Sequence, residues 1–119
     1  MIKMYHYPQC GTCRKALKWF KDRQIEVSTQ HIVDHPPSKE QLRTWIEESG
    51  LEIRKFFNTS GQVYREMNLK EKLSVMTEEK MLELLAGNGK LIKRPIVTDG
   101  KQVTVGFKEE QFESAWLKF

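Results

Sequence analysis

The chain has 119 residues, a formal net charge of +4 and a pI near 9.1, with 39% hydrophobic and 30% charged residues. That length buries a core without staples and fits one domain, and that balance excludes the low-apolar, high-charge composition of a disordered chain. The mild positive charge attracts anions in general, but the basic residues (Arg14, Lys15, Lys18, Lys21, Arg23, then Lys90, Lys93 and Arg94) alternate with acids, so no direct nucleic-acid footprint is expected.

In chain order, Met1 to His6 lacks a charged region followed by an apolar one, and no run reaches the length of a membrane span, so a cytoplasmic protein without a membrane partner is expected. Residues 2–7 alternate Ile2, Met4, His6 against Lys3, Tyr5, Tyr7, the period of a strand, which Pro8 and Gln9 break. From Gly11 to about Arg23, the positions Cys13, Ala16, Leu17 and Phe20 form one apolar helical stripe with basic residues opposite. Residues 25–33 read as a second strand, and strand, helix, strand over this span is the parallel crossover unit. Asp34-His35-Pro36-Pro37 then makes a stiff linker, and Ser38-Lys39-Glu40-Gln41 has capping-box spacing ahead of a helix through Leu42, Trp45 and Ile46 to Gly50. Three short helical pieces follow, around residues 53–57, 64–76 and 77–86. Asp99-Gly100 between two β-branched runs signals a hairpin, led by Arg94-Pro95-Ile96-Val97-Thr98. Phe112, Ala115, Trp116 and Phe119 define a closing helix, and Trp19, Trp45 and Trp116 read as packing residues.

The only two cysteines stand as Cys10-Gly11-Thr12-Cys13, between the first strand and the helix, at the carboxyl end of the strand where open α/β sheets place their chemistry. A thiol at a helix mouth meets backbone N–H groups and the positive end of the helix dipole, which favours the thiolate. Cys10 is therefore the expected nucleophile. Cys13, one turn further on the same face, is placed to attack a mixed disulfide formed at Cys10. Gly11 and Thr12 are expected to supply slim backbone and N–H groups around the sulfur, and Arg14 in the first turn to assist the thiolate. Two other readings stay open: inert buried thiols, or half of a zinc site completed by His6, His31 or His35. A structural zinc site wants four ligands and only His31 and His35 have the paired spacing, so no metal is expected. His6 is either a base near the motif or a satisfied core histidine.

The element order resembles an α/β thioredoxin-like mixed sheet: strand, helix, strand, a helical insertion over about residues 38–90, then hairpin and helix. Tyr7-Pro8-Gln9-Cys10-Gly11-Thr12-Cys13-Arg14-Lys15, followed far downstream by Lys93-Arg94-Pro95-Ile96-Val97, resembles the arsenate reductase (ArsC) and Spx family of glutaredoxin-like proteins. The resemblance implies that Cys10 is the redox-active cysteine, that Arg94 binds an oxyanion beside it, and that Pro95 faces the motif in the cis form. Independently, the fork of donors on Arg94 suits an oxyanion or favours a thiolate. It also implies two further arginines in arsenate-reducing members, where this chain has Asn58 and, past the hairpin, Gly106. Cys13 is like the Spx branch, whose members sense oxidants and bind the RNA polymerase α subunit. The glycine through which they do so has no counterpart near Leu51-Glu52-Ile53. The expected protein is thus a monomeric thiol-dependent reductase or thiol–disulfide redox protein acting on a small-molecule or protein disulfide. It needs no bound cofactor but an external thiol donor (glutathione, glutaredoxin or thioredoxin); arsenate is a doubtful substrate, and an Spx-like regulator is the alternative.

Overall fold

The computed structural model describes residues 1–117, so Phe119 of the expected closing stripe lies outside the described residues. Contacts divide the chain into two compact units, residues 1–31 together with those from 94 onward, and residues 32–93.

The first unit carries the sheet. Strand β1 (Ile2–His6) leads through helix α1 (Gly11–Asp22) to β2 (Val27–His31), and β3 (Ile96–Thr98) and β4 (Val103–Val105) form the hairpin before a closing helix, Glu109–Trp116. The strand order is β2-β1-β3-β4. β1 runs parallel to β2 in the register Ile2↔Val27 to His6↔His31, and antiparallel to β3 with Met4 opposite Val97. Sharing one face, Met4 and Val97 join Ala16, Trp19, Phe20, Phe112 and Trp116 in one buried core. Strand alternation sends Tyr5 and Ile96 to the other face, yet they too are buried, at 7% and 0% exposure. This explains why the alternating pattern of residues 2–7 does not divide into a wet and a dry face.

Two details depart from the sequence reading. Leu17, expected on the buried stripe of α1, is 36% exposed, and Trp19 is buried instead. The ring of Trp19 meets Phe20 and Phe112 edge-on at 5.2 and 5.3 Å, a larger apolar contact than a leucine at position 17 offers. The hairpin turn is wider than the Asp-Gly pair. Thr98 pairs with Val103, and within the turn the Asp99 carboxylate accepts the N–H groups of Lys101 (2.9 Å) and Gln102 (3.0 Å) while Gly100 takes φ +92°. The buried indole of Trp116 donates to the Thr104 hydroxyl at 3.2 Å.

In the second unit, helix α2 (Lys39–Ser49) begins as the capping-box spacing requires: the Ser38 hydroxyl accepts the Gln41 N–H at 3.1 Å, and Gly50 ends it in the left-handed region at φ +71°. The expected helix over residues 64–76 is broken into α3 (Gln62–Glu66), α4 (Leu69–Lys72) and a 3₁₀ turn at Leu73–Val75. The break lies at Asn68, whose φ of +53° is a conformation that asparagine tolerates and most residues avoid. Thr77 caps α5 (Glu78–Gly87) by accepting the Lys80 N–H at 3.2 Å. Arg43 of α2 reaches Glu79 of α5 at 2.6 Å, and Lys39 pairs with the same carboxylate. Gly89 admits no side chain: a Cβ there would lie 2.1 Å from the Ile32 carbonyl oxygen. The helix Glu109–Trp116 of the first unit, last in chain order, is α6.

Candidate active site

Cys10 is the N-cap residue of α1, with extended backbone angles (φ −83°, ψ 121°). The main chain reaches it through a tight turn, in which the Cys10 N–H donates to the Tyr7 carbonyl at 2.9 Å, and α1 opens with the Arg14 N–H on the Cys10 carbonyl at 3.1 Å. The neutral thiol makes no cap hydrogen bond, so the first N–H groups of the helix remain to receive a negative charge. Cys10 is half-buried and Cys13 fully buried, and neither is in a disulfide.

The two thiols are driven apart in acidity. Burial works against the Cys10 thiolate, but the backbone N–H and the thiol of Cys13, the charge of Arg94 and the backbone N–H of Thr12 outweigh it, and its pKa falls below the ordinary thiol value. Cys13 is pushed up to about 12, first by burial and then by its hydrogen bond to Cys10 and the Cys10 charge, against a backbone hydrogen bond from Tyr7 and the Arg94 charge. One thiol is thus biased toward the thiolate while its neighbour is held protonated beside it.

Arg94 is half-buried, and its guanidinium carbon lies 5.1 Å from the centre of the Tyr7 ring. The same ring meets His31 edge-on at 5.5 Å and 82°. The Arg94–Pro95 peptide is cis, and the Pro95 carbonyl accepts the Gly106 N–H at 2.9 Å. Cys10, Cys13, Arg94 and Pro95 all belong to the first unit, although some eighty residues of sequence separate the two pairs.

Other expected site residues fall elsewhere. Arg14 is exposed, and its charge is not among the influences on Cys10, which receives that help from Arg94. Gly11 is not required by space, since a Cβ there would meet nothing within 4 Å; the N–H groups that act on the sulfur are those of Thr12 and Cys13. His6 is half-buried, with its pKa lowered by burial and then by its cross-strand neighbour His31. Among the described residues no cluster of three or more His, Cys, Asp or Glu side chains is positioned to hold a metal ion. Nor is any described helix long and apolar enough to cross a membrane. Tyr7 and His31 entered the sequence reading only as part of a motif and as a metal alternative. An aromatic residue three positions before the cysteine, in a turn containing proline, was the signal for Tyr7.

The chain is 59% identical to the uncharacterized protein YusI of Bacillus subtilis, over 97% of this chain and 98% of that one. It is 33% identical to the regulatory protein MgsR of the same organism, over 89% and 82%. Its structure superposes on the crystal structure of an ArsC-family-related protein from Bacteroides fragilis with a TM-score of 0.92 and 50% identity, over 95% of each chain. The profile of the ArsC family matches residues 5–115, and the chain, with its thioredoxin-like α/β fold, belongs to that family.

Proposed function

We propose that this chain is a thiol-dependent reductase or thiol–disulfide redox protein, with Cys10 as nucleophile and Cys13 as resolving thiol. The observation that carries the reading is the opposed acidity of the two thiols at the mouth of α1, beside the Arg94 charge. The Cys10 thiolate attacks one sulfur of a disulfide or glutathione adduct, forming a mixed disulfide and expelling the other sulfur as thiolate. Cys13 then attacks the Cys10 sulfur, its proton passes to the departing thiolate, and the Cys10–Cys13 disulfide remains. Two electrons have moved from the dithiol to the substrate. Formation of the mixed disulfide removes the Cys10 charge, one of the influences that hold Cys13 protonated, so the second step is eased by the first. An external thiol donor, glutathione, glutaredoxin or thioredoxin, reduces the pair again, and no bound cofactor enters.

Arsenate fits this site less well than a disulfide. Each charge-assisted hydrogen bond contributes roughly 1.5–3 kcal/mol, and two of the guanidinium partners implied in arsenate-reducing relatives stand here as Asn58 and Gly106. At φ +81°, Gly106 has a backbone conformation that an arginine would strain.

The test is a redox titration in glutathione buffers with alkylation of free thiols and measurement of intact mass. The expected result is a reversible loss of two hydrogens near the cytosolic glutathione poise, a mixed glutathione adduct that persists in Cys13→Ser, and no turnover of a disulfide substrate in Cys10→Ser. Alkylation of both thiols across the whole range would overturn the reading.

A second reading rests on the similarity to a regulatory protein. Here the disulfide is a signal and the product is contact with the RNA polymerase α subunit. Capture of that subunit by the oxidised but not the reduced chain supports it, and absence of binding in both states ends it.

A further inference from the structure

Two independent features tie Tyr7 to the thiols. Its main chain is locked to both cysteines: the carbonyl accepts the Cys10 N–H at 2.9 Å, and its backbone hydrogen-bonds toward the Cys13 sulfur. Its half-buried ring contacts two other groups of the same unit, with the Arg94 guanidinium 5.1 Å from its centre and His31 edge-on at 5.5 Å. An arginine side chain has several rotatable bonds, and a charge at its end acts on a sulfur only as well as its position is held. A π face at cation–π distance restricts that position, and the contact strengthens as water is excluded. His31 packs edge-on against the same ring and is itself fixed in β2 opposite His6.

We infer that Tyr7 is a positioning residue of the Cys10 site, its ring serving as the platform that holds the Arg94 guanidinium beside the two sulfurs. This rests on the proposed reading of Cys10 as nucleophile. The platform requires an aromatic face at position 7 and not the phenolic hydroxyl. The ionisable groups linked to Tyr7 are Arg94 and His31 through its ring, Cys10 and Cys13 through its main chain, and His6 through His31.

The experiment measures the rate of Cys10 alkylation by iodoacetamide against pH, with the adduct assigned by mass, in the full chain and four variants, each checked for native circular dichroism. Tyr7→Phe is expected to keep the parent midpoint. Tyr7→Leu, which retains bulk without a π face, and Tyr7→Ala are expected to move it upward, in the direction of Arg94→Gln, and to slow alkylation at neutral pH. Adding Tyr7→Leu to Arg94→Gln is expected to change little further, because both act through one charge. Should the alanine variant fail to fold, the leucine variant carries the test alone. A folded Tyr7→Leu with the parent midpoint overturns the inference, as does a leucine effect that persists in full on the Arg94→Gln background. Either result leaves the nucleophile reading intact. A parent midpoint at the ordinary thiol value, about 8.5, overturns both.

Discussion

Residues 1–31 and 94–117 hold His6, lowered by burial and by His31, Cys13, raised first by burial, and Cys10, lowered against burial by helix-mouth N–H groups, the Cys13 thiol and the Arg94 charge. In residues 32–93 the displaced group is Glu79, a fully exposed carboxylate whose pKa is lowered by hydrogen bonds from Lys39 and Arg43. The first kind of displacement comes from partial desolvation, fixed dipoles and nearby charges, the pattern expected of a functional site; the second is a surface ion-pair network, which contributes little to stability. The contrast teaches that a shift is most informative where burial opposes the charge and built groups overcome it, as at Cys10. It also assigns the two units different kinds of sensitivity to mutation.

The largest expected loss of stability tests the first unit. Phe112 is fully buried against the rings of Trp19, Phe20 and Phe107, so Phe112→Ala leaves a cavity and costs about 3–5 kcal/mol, read as a lowered midpoint in urea. In the second unit, Gly89→Ala drives a methyl group into the Ile32 carbonyl and costs about 1–3 kcal/mol by overpacking. Its folded fraction is expected to keep the parent pH profile of Cys10 alkylation, because the groups acting on Cys10 lie in the first unit. A shifted profile in Gly89→Ala would break the division. Smallest is Ser38→Ala, which removes the cap of α2 for about 1 kcal/mol and leaves the thiol profile in place. Thermal melts of the three variants order these effects.

Much of the first unit was legible because its signals are local. Strand period, the cysteine pair and the Gly11–Asp22 helix lie within a few turns of one another, and parallel pairing of β1 with β2 follows from the crossover between them. Arg94 and Pro95 were found through the family resemblance, since nothing local at position 94 tells that the chain returns there to the thiols. Trp19 reads as a packing residue and is one, but the exposure of Leu17 on the same helix was not legible, because it depends on the Phe112 ring arriving from α6 against Trp19. The break at Asn68 escaped notice because the flanking residues 64–76 read as continuous helix, while one left-handed asparagine decides the local path. Placing Arg14 beside Cys10 followed sequence adjacency, but on α1 its side chain points to solvent. The contacts of the Tyr7 ring needed three dimensions, since Arg94 comes from the segment before β3 and His31 from β2.

The central claim is that one fold-imposed environment makes Cys10 the acidic thiol and Cys13 the reluctant one, and the most direct test is site-resolved alkylation of the reduced chain across pH. The account predicts a first adduct at Cys10 with a midpoint below the ordinary thiol value of about 8.5, and none at Cys13 before Cys10 has reacted, because Cys13 is pushed up to about 12 beside the Cys10 thiolate. Equal alkylation of both cysteines with one ordinary midpoint, or first reaction at Cys13, would contradict it.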